Sequence, residues 1–377
     1  MRFADIPGHE GVKRAMLSMA DSGRVPHAMM LYENEGCGAF PLALAFLQYL
    51  ACPNRHDGDS CGSCPSCNRM SKLIHPDLHF VFPTNTGRLS GSLEAKNVVS
   101  EVYEAPFREL ALANPYFLED DLSAAIGVEA KACDINVEEA RRLVSKLSMG
   151  SFEGGWSSVI FLQPEKINIQ AANKLLKTIE EPPEKTILIF ITHKPDKVLP
   201  TIASRCQAMR VSPMDRTEVE RALAACGKTG AAAAVQAAIC GGSPGRALRE
   251  LGDSEDRSLF RELFSRLMEA LLSKDLAGCL DFVEALAELG SKEKQKAFMA
   301  YMSECLRNVF VLQQTLPQLT YCSDEDREYY LSLASRCPRG FCRRSQELLD
   351  RTVAMLERNV NQKILFCDLV DRLFLSI

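Results

Sequence analysis

Apolar and polar positions change period several times along the chain, and each change predicts an element. Residues 10–22, EGVKRAMLSMADS, repeat apolar positions at helical spacing and are closed by Gly23. HAMMLY (27–32) is an apolar run of strand length, and LYENEGCGAF (31–40) then leads into an apolar helix, PLALAFLQYLA (41–51), with Pro41 in its first turn. DLHFVFP (77–83), SSVIFL (157–162) and KTILIFIT (185–192) read as further buried strands. Between them, VEEARRLVSKLSM (137–149) is an amphipathic helix with Asp134 or Asn136 as its cap. NIQAANKLLKTIEE (168–181) places Ala172, Leu175, Leu176 and Ile179 on one face before Pro182-Pro183 stops it. Strands alternating with helices predict an α/β fold with a parallel sheet covered on both faces. Residues 84–133 are polar, with a few helical stretches and no evident place in a compact sheet, so they are expected to be an insertion. Past Ser212-Pro213 the strand signals vanish: 217–251 is an alanine-rich helical unit broken at Gly241-Gly242, and from about 255 only long helices follow.

Composition narrows the class. A chain of 377 residues is long for one domain and favours two or three. Charged residues at 25% and hydrophobic residues at 46% are ordinary for a globular protein. No apolar stretch reaches the roughly 18 residues of a membrane span, and MRFADIPGHE lacks the apolar core of a signal peptide. A cytoplasmic protein without a membrane partner is expected. The formal charge of −5 gives no global attraction to phosphate backbones, so nucleic-acid contact must be a local patch or belong to a partner.

Of the fifteen cysteines eleven are scattered singly, whereas Cys52, Cys61, Cys64 and Cys67 are spaced C-x8-C-x2-C-x2-C. Four thiolates at that spacing fit tetrahedral zinc with no open coordination position, which predicts a structural and not a catalytic metal. His56, His75 and His79 are spare ligands should one cysteine not be used.

The stretch 31–40 stands where a phosphate loop would. The pattern G-x-x-x-x-G-K-[ST] would require glycine at Glu33, lysine at Ala39 and serine or threonine at Phe40, and only Gly36 and Gly38 remain as glycines. Without the lysine the β- and γ-phosphates lose their main cationic contact, and without the hydroxyl Mg²⁺ loses a ligand. After the strand VIFL, Gln163-Pro164 replaces the acidic pair that would complete the magnesium site. No bound ATP is expected.

ANKLLKTIEEPPEKTILIFITHKPDKVLPTIASRC (172–206) closely resembles the corresponding segment of the bacterial clamp-loader ATPases, the AAA+ subunits of DNA polymerase III. IPGHEGVKRAMLSMADSGRVPHAMMLYE (6–33), the cysteine cluster between the apolar helix and the second strand, and GGSPGRAL (241–248) extend that resemblance over most of residues 1–250. It implies an AAA+ nucleotide-binding-like domain at 1–212, with a zinc module at about 50–70 and the 84–133 insertion. A small helical lid at 213–253 and an all-α collar at 254–377 would follow. Within the family, loss of loop and acidic pair with retention of S-R-C marks a non-hydrolysing subunit. Such a subunit would assemble with gamma/tau and delta subunits, helping to load the sliding clamp onto primed DNA. Arg205, in Ser204-Arg205-Cys206, would be an arginine finger reaching a neighbour's γ-phosphate. Thr192 and His193 fall at the γ-phosphate-sensing strand tip and Arg246 at the lid arginine, all as relics. Ser335-Arg336-Cys337 repeats the tripeptide outside that context, so Arg336 is read as a solvated helix residue. Glu180-Glu181 is read as a charged helix end. The alternatives are a divergent gamma/tau-type ATPase and a zinc-dependent nucleic-acid module, the latter disfavoured by the acidic balance.

Overall fold

The structure, a computed structural model, describes residues 1–85, 98–128, 133–252, 254–316, 320, 322, 324–358 and 360–377. By contact the chain divides into two units, Met1–Arg249 and Glu250–Ile377.

The first unit opens with α1 (Glu10–Asp21), β1 (Ala28–Glu33), α2 (Ala39–Ala51), α3 (Pro65–Ser71) and β2 (Leu78–Val81). It continues with α4 (Glu104–Ala113), α5 (Glu119–Ile126), α6 (Val137–Ser148), β3 (Ser157–Leu162), α7 (Ile169–Glu180) and β4 (Thr186–Thr192). Then come α8 (Pro200–Ala203), β5 (Gln207–Val211), α9 (Arg216–Ala225), α10 (Ala231–Ile239) and α11 (Pro244–Gly252), the last crossing the unit boundary. The five strands form one sheet in the order β2-β3-β4-β1-β5, and each recorded pairing is parallel. The expected parallel α/β sheet is what forms.

Burial explains the sheet. Every residue of β3 and β4 is buried, and Phe161 stacks on Phe190 at 4.5 Å between ring centroids. On one face Leu143, Leu147, Leu175, Ile179 and Ile202 close over Val159, Phe161, Leu188 and Phe190. Each fully buried side chain of this kind contributes roughly 1.5–3 kcal/mol. Asn136, not Asp134, caps α6 by accepting the Glu139 N–H, and Asn168 caps α7 through Ala171 N–H.

Two features add to the sequence reading. The edge strand β5 was not anticipated: QAMRV is exposed at three of its five positions and lacks an apolar run. The stretch expected as an insertion lies on the body of the unit where it is described. Phe107 of α4 and Phe117 ahead of α5 pack with Phe40 and Phe80, and the Ser100 hydroxyl and N–H bond to the buried Glu139.

Among the described residues, the regular elements of the second unit are all helices: α12 (Ser254–Ser273), α13 (Leu276–Ala287), α14 (Lys292–Gln313), α15 (Asp324–Arg336), α16 (Phe341–Glu357) and α17 (Gln362–Ser376). Its core joins Phe264, Leu267, Phe298, Met302, Phe341, Phe366 and Leu373, all nearly or fully buried.

Candidate functional site

Parallel strands bring the C-terminal ends of β1, β3 and β4 to one rim, the place where open α/β sheets bind ligands. Tyr32 of β1 is in register with Thr192 of β4, which sets Glu33 beside His193. The turn after β1 then delivers α2, whose first N–H groups would be the phosphate donors. Here the chain supplies its own anion. Glu33, nearly buried, accepts the Ala39 N–H through Oε2 at 2.7 Å, and Pro41 removes a donor from the same helical turn.

The other oxygen of Glu33 lies 3.5 Å from His193 Nε2, while His193 Nδ1 bonds Glu119 Oε1 at 3.1 Å. Lys194 Nζ is 3.2 Å from both oxygens of Glu119, and the Glu119 N–H donates to Glu35 Oε1 at 2.5 Å. Burial alone would push the His193 imidazolium down, but the hydrogen bonds and charges of Glu119 and Glu33 win and hold its pKa up at about 9. The hydrogen bond from His193, helped by Lys194 and opposed by burial, holds Glu119 down at about 2. Three carboxylates are thus met by an imidazolium and an ammonium. Glu35, Glu119 and His193 lie close enough to hold a cation, but the protein has already placed positive groups there.

The loop is closed from above by the helical segment after β5. Ser243 Oγ donates to Glu35 O at 2.7 Å, and Gly245 N–H donates to Gly36 O at 3.1 Å. A Cβ on Gly245 would fall 2.1 Å from Tyr116 O and 3.0 Å from Gly36 Cα; one on Gly36, which sits at φ +75°, would fall 2.7 Å from Leu118 and 2.8 Å from Ser243. Main chain meets main chain here. Phe40, at the magnesium-hydroxyl position, is 5% exposed and stands edge-on to Phe107 and Phe117, with centroids 6.1 and 5.0 Å away.

The other rim residues are also engaged. Gln163 is buried in a left-handed conformation, and Pro164 follows it in a short 3-10 turn. The fully buried Thr192 donates through Oγ1 to Glu165 at 2.8 Å. Arg246 is exposed on α11, its N–H bonded to Ser243 Oγ. Gly38 and Cys37 complete the turn, with His9 Nε2 2.9 Å from Cys37 O.

At the opposite end of α2 the four clustered cysteines converge, their sulfurs all within 4.8 Å of one another. Cys61 Sγ and Cys67 Sγ are 3.9 Å apart. Zinc–sulfur bonds of about 2.3 Å in a tetrahedron set sulfurs roughly 3.8 Å apart, so this donor set fits. The N–H groups of Cys61, Cys64 and Cys67 each donate at 3.4 Å to a sulfur of the set, Cys52, Cys61 and Cys64 respectively. The backbone N–H groups of Ser63 and Cys64 draw the Cys61 thiol down to about 6, while burial pushes Cys52 and Cys67 up. A dication inverts that balance for buried thiols. The three histidines weighed as spare ligands stand outside the group: His75 bonds Ser66, His56 lies against Asp57, and His79 sits in β2. Ser66 and His75 are no nucleophile-base pair, because His75 Nδ1 accepts the Asp77 N–H and leaves the proton on Nε2, facing Ser66 and Glu153.

Arg205 lies on the surface between α8 and β5, with Ser204 exposed beside it and Cys206 partly buried, the thiol raised to about 12 by that burial. It pairs with Glu180 at the end of α7 at 2.5 Å, a contact the sequence did not announce. Arg336 forms an ion pair with Glu269 at 3.0 Å on the helical unit. Sequence reasoning also missed the Glu33–His193–Glu119 chain, which joins residues up to 160 positions apart in sequence and becomes visible only through strand register.

Comparison with known proteins follows this geometry. The chain is 30% identical over 193 residues to the DNA polymerase III subunit delta' of Yersinia pestis and 27% over 198 to that of Escherichia coli. It is 26% identical over 203 residues to the gamma/tau subunit of Mycobacterium bovis. These alignments take in 51%, 52% and 54% of this chain but 44%, 46% and 27% of the relatives, so the chain spans less than half the length of each. Residues 8–215, more than half of the chain, match the family model described as DNA polymerase III, delta subunit. The chain belongs to that delta-subunit family of DNA polymerase III and aligns with its delta-prime members.

Proposed function

We propose that this chain acts as a non-hydrolysing, delta-prime-type subunit of a clamp loader, lending Arg205 to the ATP site of a neighbouring motor subunit. The observation that carries the reading is the Glu33 carboxylate seated on the Ala39 N–H, where a phosphate would otherwise be held. A second anion there would meet Glu33, Glu35 and Glu119 together with the Gly36–Gly245 contact. Arg205 suits a trans role because guanidinium stays charged and presents a rigid fork of donors. Its partners would be gamma/tau and delta subunits, with sliding clamp and primed DNA reached through the assembly. The four-cysteine set would hold a structural zinc that fixes the turns between α2 and α3.

Calorimetry on the isolated chain should give no heat of MgATP binding; tight binding would instead favour the divergent gamma/tau-type ATPase. In a complex reconstituted with motor subunits, clamp and primed DNA, Arg205→Ala should cut stimulated ATP turnover severalfold with assembly intact. Unchanged turnover would remove the finger role.

A further inference from the structure

The sequence leaves Glu180 as one of two acidic residues ending a helix, and the proposed function gives it nothing to do. In the fold it is the partner of Arg205. Nε and Nη2 of the guanidinium both reach Glu180 Oε1, each at 2.5 Å, while Nη1 donates to Thr201 O at 3.0 Å and to Ser204 Oγ at 3.3 Å. Three of the five N–H donors are therefore hydrogen-bonded within the chain, and Nη2 stands against the same carboxylate in the ion pair. A phosphate grips guanidinium through two parallel donors, and that fork is not available while Glu180 holds the Nε–Nη2 edge. Yet the pair is only half-buried, with the two side chains 37% and 46% exposed. Exposed pairs of this kind are weak, and a triphosphate oxygen cluster carries more negative charge than one carboxylate.

We infer that Glu180 is the positioning residue of Arg205: it parks the guanidinium on its own subunit and yields it only when a neighbour's bound triphosphate outcompetes the carboxylate. This rests on the trans-arginine reading given above. Glu180 then sets a threshold for engagement, since the free energy of breaking the pair is subtracted from the new contact. Thr201 O and Ser204 Oγ keep the arginine near its working place after release. Glu181, one residue on, has no part in the pair.

The test uses the full chain in the reconstituted complex, comparing Glu180→Ala, Glu180→Asp, Glu181→Ala, Arg205→Ala and the double variant Glu180→Ala/Arg205→Ala. ATP turnover is measured with and without clamp and primed DNA, and KM for MgATP is separated from kcat. Glu180→Ala should lower KM and raise turnover in the absence of clamp and DNA, by no more than about fivefold, the ceiling of an exposed ion pair. Glu180→Asp should return toward wild type, Glu181→Ala should match it, and the double variant should be indistinguishable from Arg205→Ala alone. The inference is overturned if Glu180→Ala equals wild type, lowers turnover as Arg205→Ala does, or keeps its effect without Arg205. An assembled Arg205→Ala complex with normal turnover would instead remove the trans arginine itself.

Discussion

His193 concentrates the residue-scale argument. Its imidazolium is held between Glu33 and Glu119 with a folded pKa of about 9 against an ordinary 6.5. A raised pKa means that the stabilisation is complete below pH 6.5 and is lost as the pH climbs through 9. Glu119, lowered from 4.5 to about 2, reports the same contact from the acid side: its share is complete above pH 4.5 and fades as the pH falls toward 2. The two are one interaction, at its strongest between about pH 4.5 and 6.5. Wild type should therefore lose about 3 kcal/mol more than His193→Gln between pH 6 and pH 9.5 in denaturant unfolding. Parallel pH profiles for the two proteins would show that no such charge is buried there. Nothing in the local sequence of His193 announces this, because its partners arrive from β1 and from the turn into α5.

At the scale of elements, legibility follows how local the cause is. Strands β1 to β4 were visible because buried strands read as apolar runs, whereas β5, at the edge of the sheet, did not. The cysteine set was visible because two-residue spacing around a tight turn is itself the ligand geometry. The described part of the 84–133 stretch was opaque because Phe107, Phe117, Tyr116 and Leu118 find their partners far away in sequence, at Phe40, Phe80, Gly36 and Gly38. The four-cysteine set carries its own prediction. Protein prepared without added metal should contain about one equivalent of zinc per chain. Stripping it with a chelator should lower the unfolding temperature of the first unit, because buried thiols that share one site have then lost their counter-charge. Metal content far below one equivalent, with thiols intact, would contradict the site.

On the scale of the whole molecule, the family match stops at residue 215, just past β5, and the sequence resemblance near 250, so the helical unit was legible only as helices. That is physically reasonable: an amphipathic stripe specifies that a helix buries one face, not which helix it meets. Each unit nonetheless has its own apolar core. Scanning calorimetry should accordingly resolve two transitions, and chelation or His193→Gln should shift one of them and leave the other in place. A single transition that moves as a whole would mean that the units melt together.

The contact between Gly36 and Gly245 bears on motion as well as on space. A hinged cover can signal only if its angle depends on what lies beneath it. Here the segment after β5 meets the loop backbone on backbone, with the Ser243 hydroxyl on Glu35 O beside it, so a side chain added at Gly36 or Gly245 would have to displace main chain. In the assembly proposed above, this contact would serve as a fixed reference and the strokes would come from other joints.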